Sequence, residues 1–117
     1  MSDDLGLVSG TLDLLVLRTL AWGPQHGFGV ARWIQSNSDD AILVEDRALY
    51  LALHRLEERG LVESEWGVSE NKRRARFYQL TSNGREELRV RSTRWARYAE
   101  AVAKILHTSP PPVSARA

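Results

Sequence analysis

Leu49, Ala52, Leu53 and Leu56 stand at i, i+3, i+4 and i+7 of "DRALYLALHRLEERG", and this spacing constrains the chain more than any other feature. Residues so spaced share one face of an α-helix, so the stretch has to lay that face on a core. Asp46 stands at its start, and Gly60 fits the left-handed residue just past its end. The opposite face gathers Arg47, Leu51, His54 and Glu58, with Tyr50 and Arg55 on the flanks. After Gly60 the apolar period drops to that of a strand: Val62, Ser64 and Trp66 alternate with Glu63 and Glu65. "GVSEN" then supplies a turn and "RRARFYQL" alternates back, which predicts a two-stranded hairpin. Leu61, Trp66, Phe77, Tyr78 and Leu80 are expected to be its core residues, with no binding role.

Two helices precede this unit. "SGTLDLLVLRTLAWG" has Thr11 as its expected N-cap and Asp13 in the first turn, where the helix dipole favours an acid. Apolar positions run almost all the way round it, which predicts a central helix, stopped at Gly23-Pro24. "HGFGVARWIQSNS" restarts as a helix with Val30, Ala31 and Ile34 on one face; a polar loop follows, and "ILVE" reads as a short strand or an extended link. After the hairpin, Thr81 is placed to cap a last helix over about residues 82–107. Along it Leu88, Trp95 and Val102 recur at heptad spacing, joined by Tyr98 with Ile105 and Ala99 with Leu106, while Arg91 interrupts the stripe.

Helix, helix, helix, hairpin and long helix make a mainly α fold with a small β-hairpin: a winged helix-turn-helix plus a long C-terminal helix. The expected organisation is an N-terminal extension (1–8), the winged helix-turn-helix (9–81), a dimerisation helix (82–107) and a disordered Pro-rich tail (108–117). A chain of 117 residues has room for one core.

Composition removes several function classes. With no cysteine, disulfides and thiolate metal sites are excluded. His26, His54 and His107 lack metal-ligand spacing, and there is no glycine-rich phosphate loop or nucleophile elbow. Neither an enzyme, a metal nor a cofactor is expected. The acidic start lacks the basic segment of a secretory signal, and the longest apolar run is broken by Arg18, far short of a bilayer span. The chain is therefore expected to be soluble and intracellular, in the cytoplasm, with no membrane partner.

A formal net charge of +1 hides a strong asymmetry. Residues 1–71 carry 5 basic and 12 acidic side chains, and residues 72–97 carry 9 basic and 2 acidic ones. Lys72, Arg73, Arg74 and Arg76 crowd into the predicted hairpin tip, where they repel one another unless an anion sits among them. A solvated tip is the plain alternative, yet four cations on a wing that follows a recognition-type helix point to double-stranded DNA. Such a cluster grips phosphates and carries no sequence information. Sequence would be read by Arg47, Leu51 and His54: Arg donates to guanine, His donates or accepts, and Leu meets a thymine methyl. An amphipathic helix also shows polar residues to water for no further reason. Trp95, on a helix with nothing left in the chain to cover it, implies a second copy. Leu88, Trp95, Tyr98, Val102, Ile105 and Leu106 would form that dimer interface, or line a pocket there for a flat aromatic effector.

Residues 48–88, "ALYLALHRLEERGLVESEWGVSENKRRARFYQLTSNGREEL", closely resemble the PadR family of bacterial transcriptional regulators. The matching features are the Leu49-Tyr50 pair, "RLEERGL", Trp66, the paired arginines before an aromatic pair, and "LT" followed by glycine; Phe77 replaces the usual first tyrosine. "GTLDLLVLRTL" and "HGFGVARWI" fit the family's first two helices, so the resemblance spans roughly residues 9–106. It implies a repressor, dimeric through its first and last helices, on a palindromic operator. By the same resemblance Tyr50, Lys72, Arg73 and Arg74 would reach phosphates. The single last helix is similar to that of the short subfamily, in which some members hold flat aromatic drugs against a tryptophan near the position of Trp95. Arg47-Ala48 stand where the family has small residues, and Leu51 where a proline is common, so the operator cannot be borrowed from relatives. The rival readings are an aromatic-responsive regulator and a winged-helix module that binds protein instead of DNA.

Overall fold

The computed structural model describes residues 10–111. The expectations for residues 1–8 and for the end of the Pro-rich tail lie outside that range. Seven elements follow in order: α1 (Thr11–Leu20), β1 (Gln25–His26), α2 (Gly27–Asn37), α3 (Asp46–Glu58), β2 (Val62–Val68), β3 (Arg74–Leu80) and α4 (Ser82–Leu106). The fold is mainly helical with a small antiparallel sheet, a winged helix carrying a long C-terminal helix.

α1 is the hub. Val16, Leu17 and Leu20 are fully buried, and α2, α3, β3 and α4 all pack against this helix. Leu49, Ala52, Leu53 and Leu56 of α3 meet it with the stripe their spacing predicts, and Val30 and Ile34 of α2 close another side. The expected Thr11 cap does not form: Thr11 is already helical, and Gly10, with φ of 84°, precedes it without a side-chain cap. Glycine alone enters that backbone region at no steric cost, so the chain turns into α1 through geometry where a hydrogen bond was expected. "ILVE" is an extended link and makes no strand.

The sheet has three strands where the sequence predicts two. Gln25 and His26 pair with Tyr78 and Phe77, giving the order β1-β3-β2. Two residues carry no readable period, so β1 has no signal of its own in the sequence. β2 and β3 pair in register from Val62↔Leu80 to Val68↔Arg74. Ser69–Arg73 close the wing: Ser69 N–H donates to the Arg73 carbonyl and Lys72 N–H to the Ser69 carbonyl, each at 2.8 Å. Lys72 holds φ of 60°, so a position that suits glycine or asparagine carries a cation instead.

α4 is fixed at its first turn. The Thr81 hydroxyl accepts the Gly84 N–H and donates to the Gly60 carbonyl at 2.7 Å, while Thr81 N–H reaches the Leu61 carbonyl. One residue thus caps α4 and ties it to the end of α3. Gly84 lies against the Leu61 carbonyl so closely that a Cβ would collide with it. Leu88 packs on the core, and from Ser92 onward every described residue of α4 is exposed. The radius of gyration, 18.1 Å, records this projection; a compact chain of this length would have about 13 Å.

Gly84→Ala should therefore cost about 2–4 kcal/mol of folding stability, because the obstacle is backbone that cannot rotate away. The expected fall in Tm, followed by circular dichroism, is about 8–25 °C. A fall below about 2 °C would mean that α4 lifts off Leu61 without penalty.

Candidate nucleic-acid interface

The outward face of α3 carries the side chains its periodicity assigns there. Arg47, Tyr50, Leu51 and His54 are all exposed, and no other described residue covers this face. His54 Nε2 lies 3.5 Å from Glu58 one turn on, an exposed pair whose charge depends on the imidazole being protonated. Arg55, on the flank, turns the other way: its guanidinium meets Asp13 of α1 at 2.7 Å. Asp13 is largely buried, so this pair ties the flank of α3 to α1. The sequence places Asp13 at a helix start, but a link between residues 42 positions apart has no local signature.

The wing stands beside this helix. Lys72, Arg73 and Arg74 are exposed, and among the described residues none has a carboxylate within ion-pair distance. Arg76 differs. Its Nε donates to Ser64 Oγ at 2.8 Å, Ser64 Oγ donates to Glu57 of α3 at 2.6 Å, and a second guanidinium nitrogen of Arg76 lies 3.5 Å from the same carboxylate. This chain of polar groups sets the angle between wing and α3, with the Arg76 side chain still 46% exposed.

The third wall is the start of α2. His26 caps the helix through Nδ1, which accepts the Gly29 N–H at 3.1 Å. Its buried ring lies parallel to Phe28 and edge-on to Phe77, and Nε2 comes within 3.6 Å of Glu70 at the wing tip. The Glu70 carboxyl is held below the usual carboxylate range, first by its own backbone N–H and then by His26. One groove of about 360 Å³ is lined jointly by Gly27 and Phe28 of α2, Tyr50 of α3, and Trp66, Arg74 and Arg76 of the wing.

Of the expected hairpin core, Leu61, Tyr78 and Leu80 are buried and Phe77 is half-buried, but Trp66 is 56% exposed. The alternation is correct and the depth is not. Trp66 shares a face with Val62, but four residues of strand carry it about 13 Å further out, past the edge of the core. On the far side of the molecule, Trp95, Tyr98, Val102, Ile105 and Leu106 stand exposed along α4, and Arg91 is held by Glu87 at 2.6 Å.

A three-helix unit, a cationic wing and an uncovered third helix are the parts of a DNA-binding winged helix, and the sequence model described as the transcriptional regulator PadR-like family matches residues 16–90. The chain belongs to the PadR-like family. Like other members, it is a DNA-binding transcriptional regulator and not an enzyme. Among solved structures, it is similar to a PadR family transcriptional regulator from Eggerthella lenta DSM 2243, with 34% identity and a TM-score of 0.70 over 86% of this chain and 85% of that one. It is also similar to a transcriptional regulator from Clostridium thermocellum, at 26% identity and a TM-score of 0.74 over 81% and 92% of the two chains. An uncharacterised protein of Lysinibacillus sphaericus is 23% identical over 96 residues, 82% of this chain and 88% of that one. No described helix is long and apolar enough to cross a membrane. Within this PadR-like fold the Arg55–Asp13 pair ties α3 to α1.

Arg55→Ala should leave the Asp13 carboxylate without its partner and lower stability by about 0.5–1.5 kcal/mol, a loss that solvent access to Arg55 keeps modest. The double variant Asp13→Leu/Arg55→Ala should recover part of that loss. Denaturant titrations of the four proteins give the coupling, and an additive cycle would show that the pair does not hold α3.

Proposed function

We propose that this PadR-like regulator represses transcription as a homodimer on a palindromic operator. Arg47, Leu51 and His54 read base edges in the major groove; Tyr50, Lys72, Arg73 and Arg74 hold phosphates on either side. Arg76 divides its guanidinium between the Glu57 link and the same backbone. The observation that supports this reading best is the shared groove, in which α3, the start of α2 and the wing arginines open to one side. Uncompensated cations beside an exposed helix suit a polyanion, because each one that neutralises a phosphate releases a counterion. The second copy is supported by the stripe on α4, where Ile105 and Leu106 are more than 70% exposed although apolar.

A mobility-shift titration against the promoter of its own gene, at two salt concentrations, tests the reading. Retention no better than on unrelated DNA at either salt would contradict specific regulation. Replacing Lys72, Arg73 and Arg74 by alanine should weaken binding to every duplex and lower the salt slope by about three. His54→Ala should instead change the preferred operator, at about 5- to 150-fold per affected base pair.

An aromatic effector is the second reading, favoured by one observation. Trp95 and Tyr98 pair at 6.1 Å between centroids and line a groove of about 560 Å³ with Leu14, Arg59, Arg91 and Arg94. Quenching of tryptophan fluorescence by a planar compound, lost in Trp95→Leu, is the expected result. Quenching that survives this change would place the compound elsewhere.

A further inference from the structure

Trp66 is the large aromatic ring that the wing leaves in the open. It lies directly across from Arg76 in the β2–β3 register, and the Arg74 guanidinium carbon stands 4.4 Å from its ring centroid. Arg76 approaches the same ring at 5.9 Å. The two guanidiniums cover part of the indole, and more than half of the residue still faces solvent. Across the groove stand Tyr50 and Phe28, both mainly exposed, with Arg32 over the Phe28 ring at 5.5 Å. The groove thus combines guanidiniums with uncovered aromatic faces, a pairing that folding alone does not require.

A ligand matched to this wall presents an anionic group to Arg74 and an apolar, CH-rich face to the indole within one nucleotide's length. A DNA strand repeats that pair at every step, as phosphate and deoxyribose. We propose that Trp66 packs on a deoxyribose of the strand whose phosphate Arg74 holds, and adds affinity that salt does not screen. The inference rests on the DNA-binding reading above and gives the wing a second, apolar mode of grip. Guanidinium contacts release counterions and weaken as salt rises; a ring against a sugar releases none, so its share persists.

The test uses the full chain and its Trp66→Ala, Trp66→Phe and Arg74→Ala variants. Dissociation constants are measured on the promoter duplex and on unrelated DNA between about 50 and 300 mM KCl, with thermal midpoints for each protein. Trp66→Ala should weaken binding about tenfold on both duplexes at every salt, with the native salt slope and midpoint. Trp66→Phe should lose about threefold, and Arg74→Ala should lower the slope by about one. Affinity of Trp66→Ala within twofold of native would overturn the contact. So would a slope lowered as in Arg74→Ala, since the ring would then act only by steadying that guanidinium. A lowered midpoint in Trp66→Ala, restored together with full affinity by Trp66→Phe, would assign the ring to folding and also overturn it. Failure of the native protein to retain either duplex would overturn the DNA reading itself, an outcome distinct from these three.

Discussion

Burial of α1 is the constraint on which the remaining structure depends. Val16, Leu17 and Leu20 leave no apolar atom for water, and each fully buried side chain of this kind stabilises the fold by about 1.5–3 kcal/mol. A single helix cannot achieve this; it needs cover on every side. α2, α3, β3 and the start of α4 each offer one apolar face to it, and none could bury that face without α1. The exposed face of α3 follows from that arrangement. Because Leu49, Ala52, Leu53 and Leu56 point inward at α1, Arg47, Tyr50, Leu51 and His54 have to point out.

Two polar links convert this packing into fixed angles. Arg55 to Asp13 ties α3 to α1, and Arg76 through Ser64 to Glu57 ties the wing to α3. Both use partly exposed arginines whose partners are more buried, so solvent screens them and their contribution to overall stability is modest. Their effect is geometric. In the proposed complex, α3 and the wing would meet one duplex together, and a free angle between them would add an ordering cost on binding.

The sequence made the helices legible because their apolar spacing is long enough to show a period, and it made the wing legible because four cations cluster in one turn. Features set by two residues or by distant pairs stayed hidden. β1 is too short to have a period, the turn into α1 depends on a glycine backbone angle, and Arg55 finds Asp13 only after α1 and α3 pack. Trp66 shows a different limit. Alternation identifies which side of a strand a residue faces, not whether the core extends that far beneath it. Counting outward from Val62, the deepest residue of β2, would have placed Trp66 beyond the core and so among the candidates for binding.

The second half of α4 poses the energetic problem that the single chain leaves open. Ordering a backbone residue costs about 1–2 kcal/mol in conformational entropy, and helices in water are marginal without tertiary cover. Among the described residues that cover is thin from Ser92 to Leu106, because the core ends at Leu88 and the ion pairs Arg89–Glu86 and Arg91–Glu87 both lie earlier. Yet this half carries Trp95, Tyr98, Val102, Ile105 and Leu106 on adjoining positions of its surface. Burying them would offset the ordering cost, and in the proposed homodimer a dyad-related α4 would supply a surface of matching length and spacing. In the proposed homodimer the same dyad would hold the two α3 helices at a fixed separation, so the residues that complete α4 would also govern the spacing of the surfaces offered to DNA.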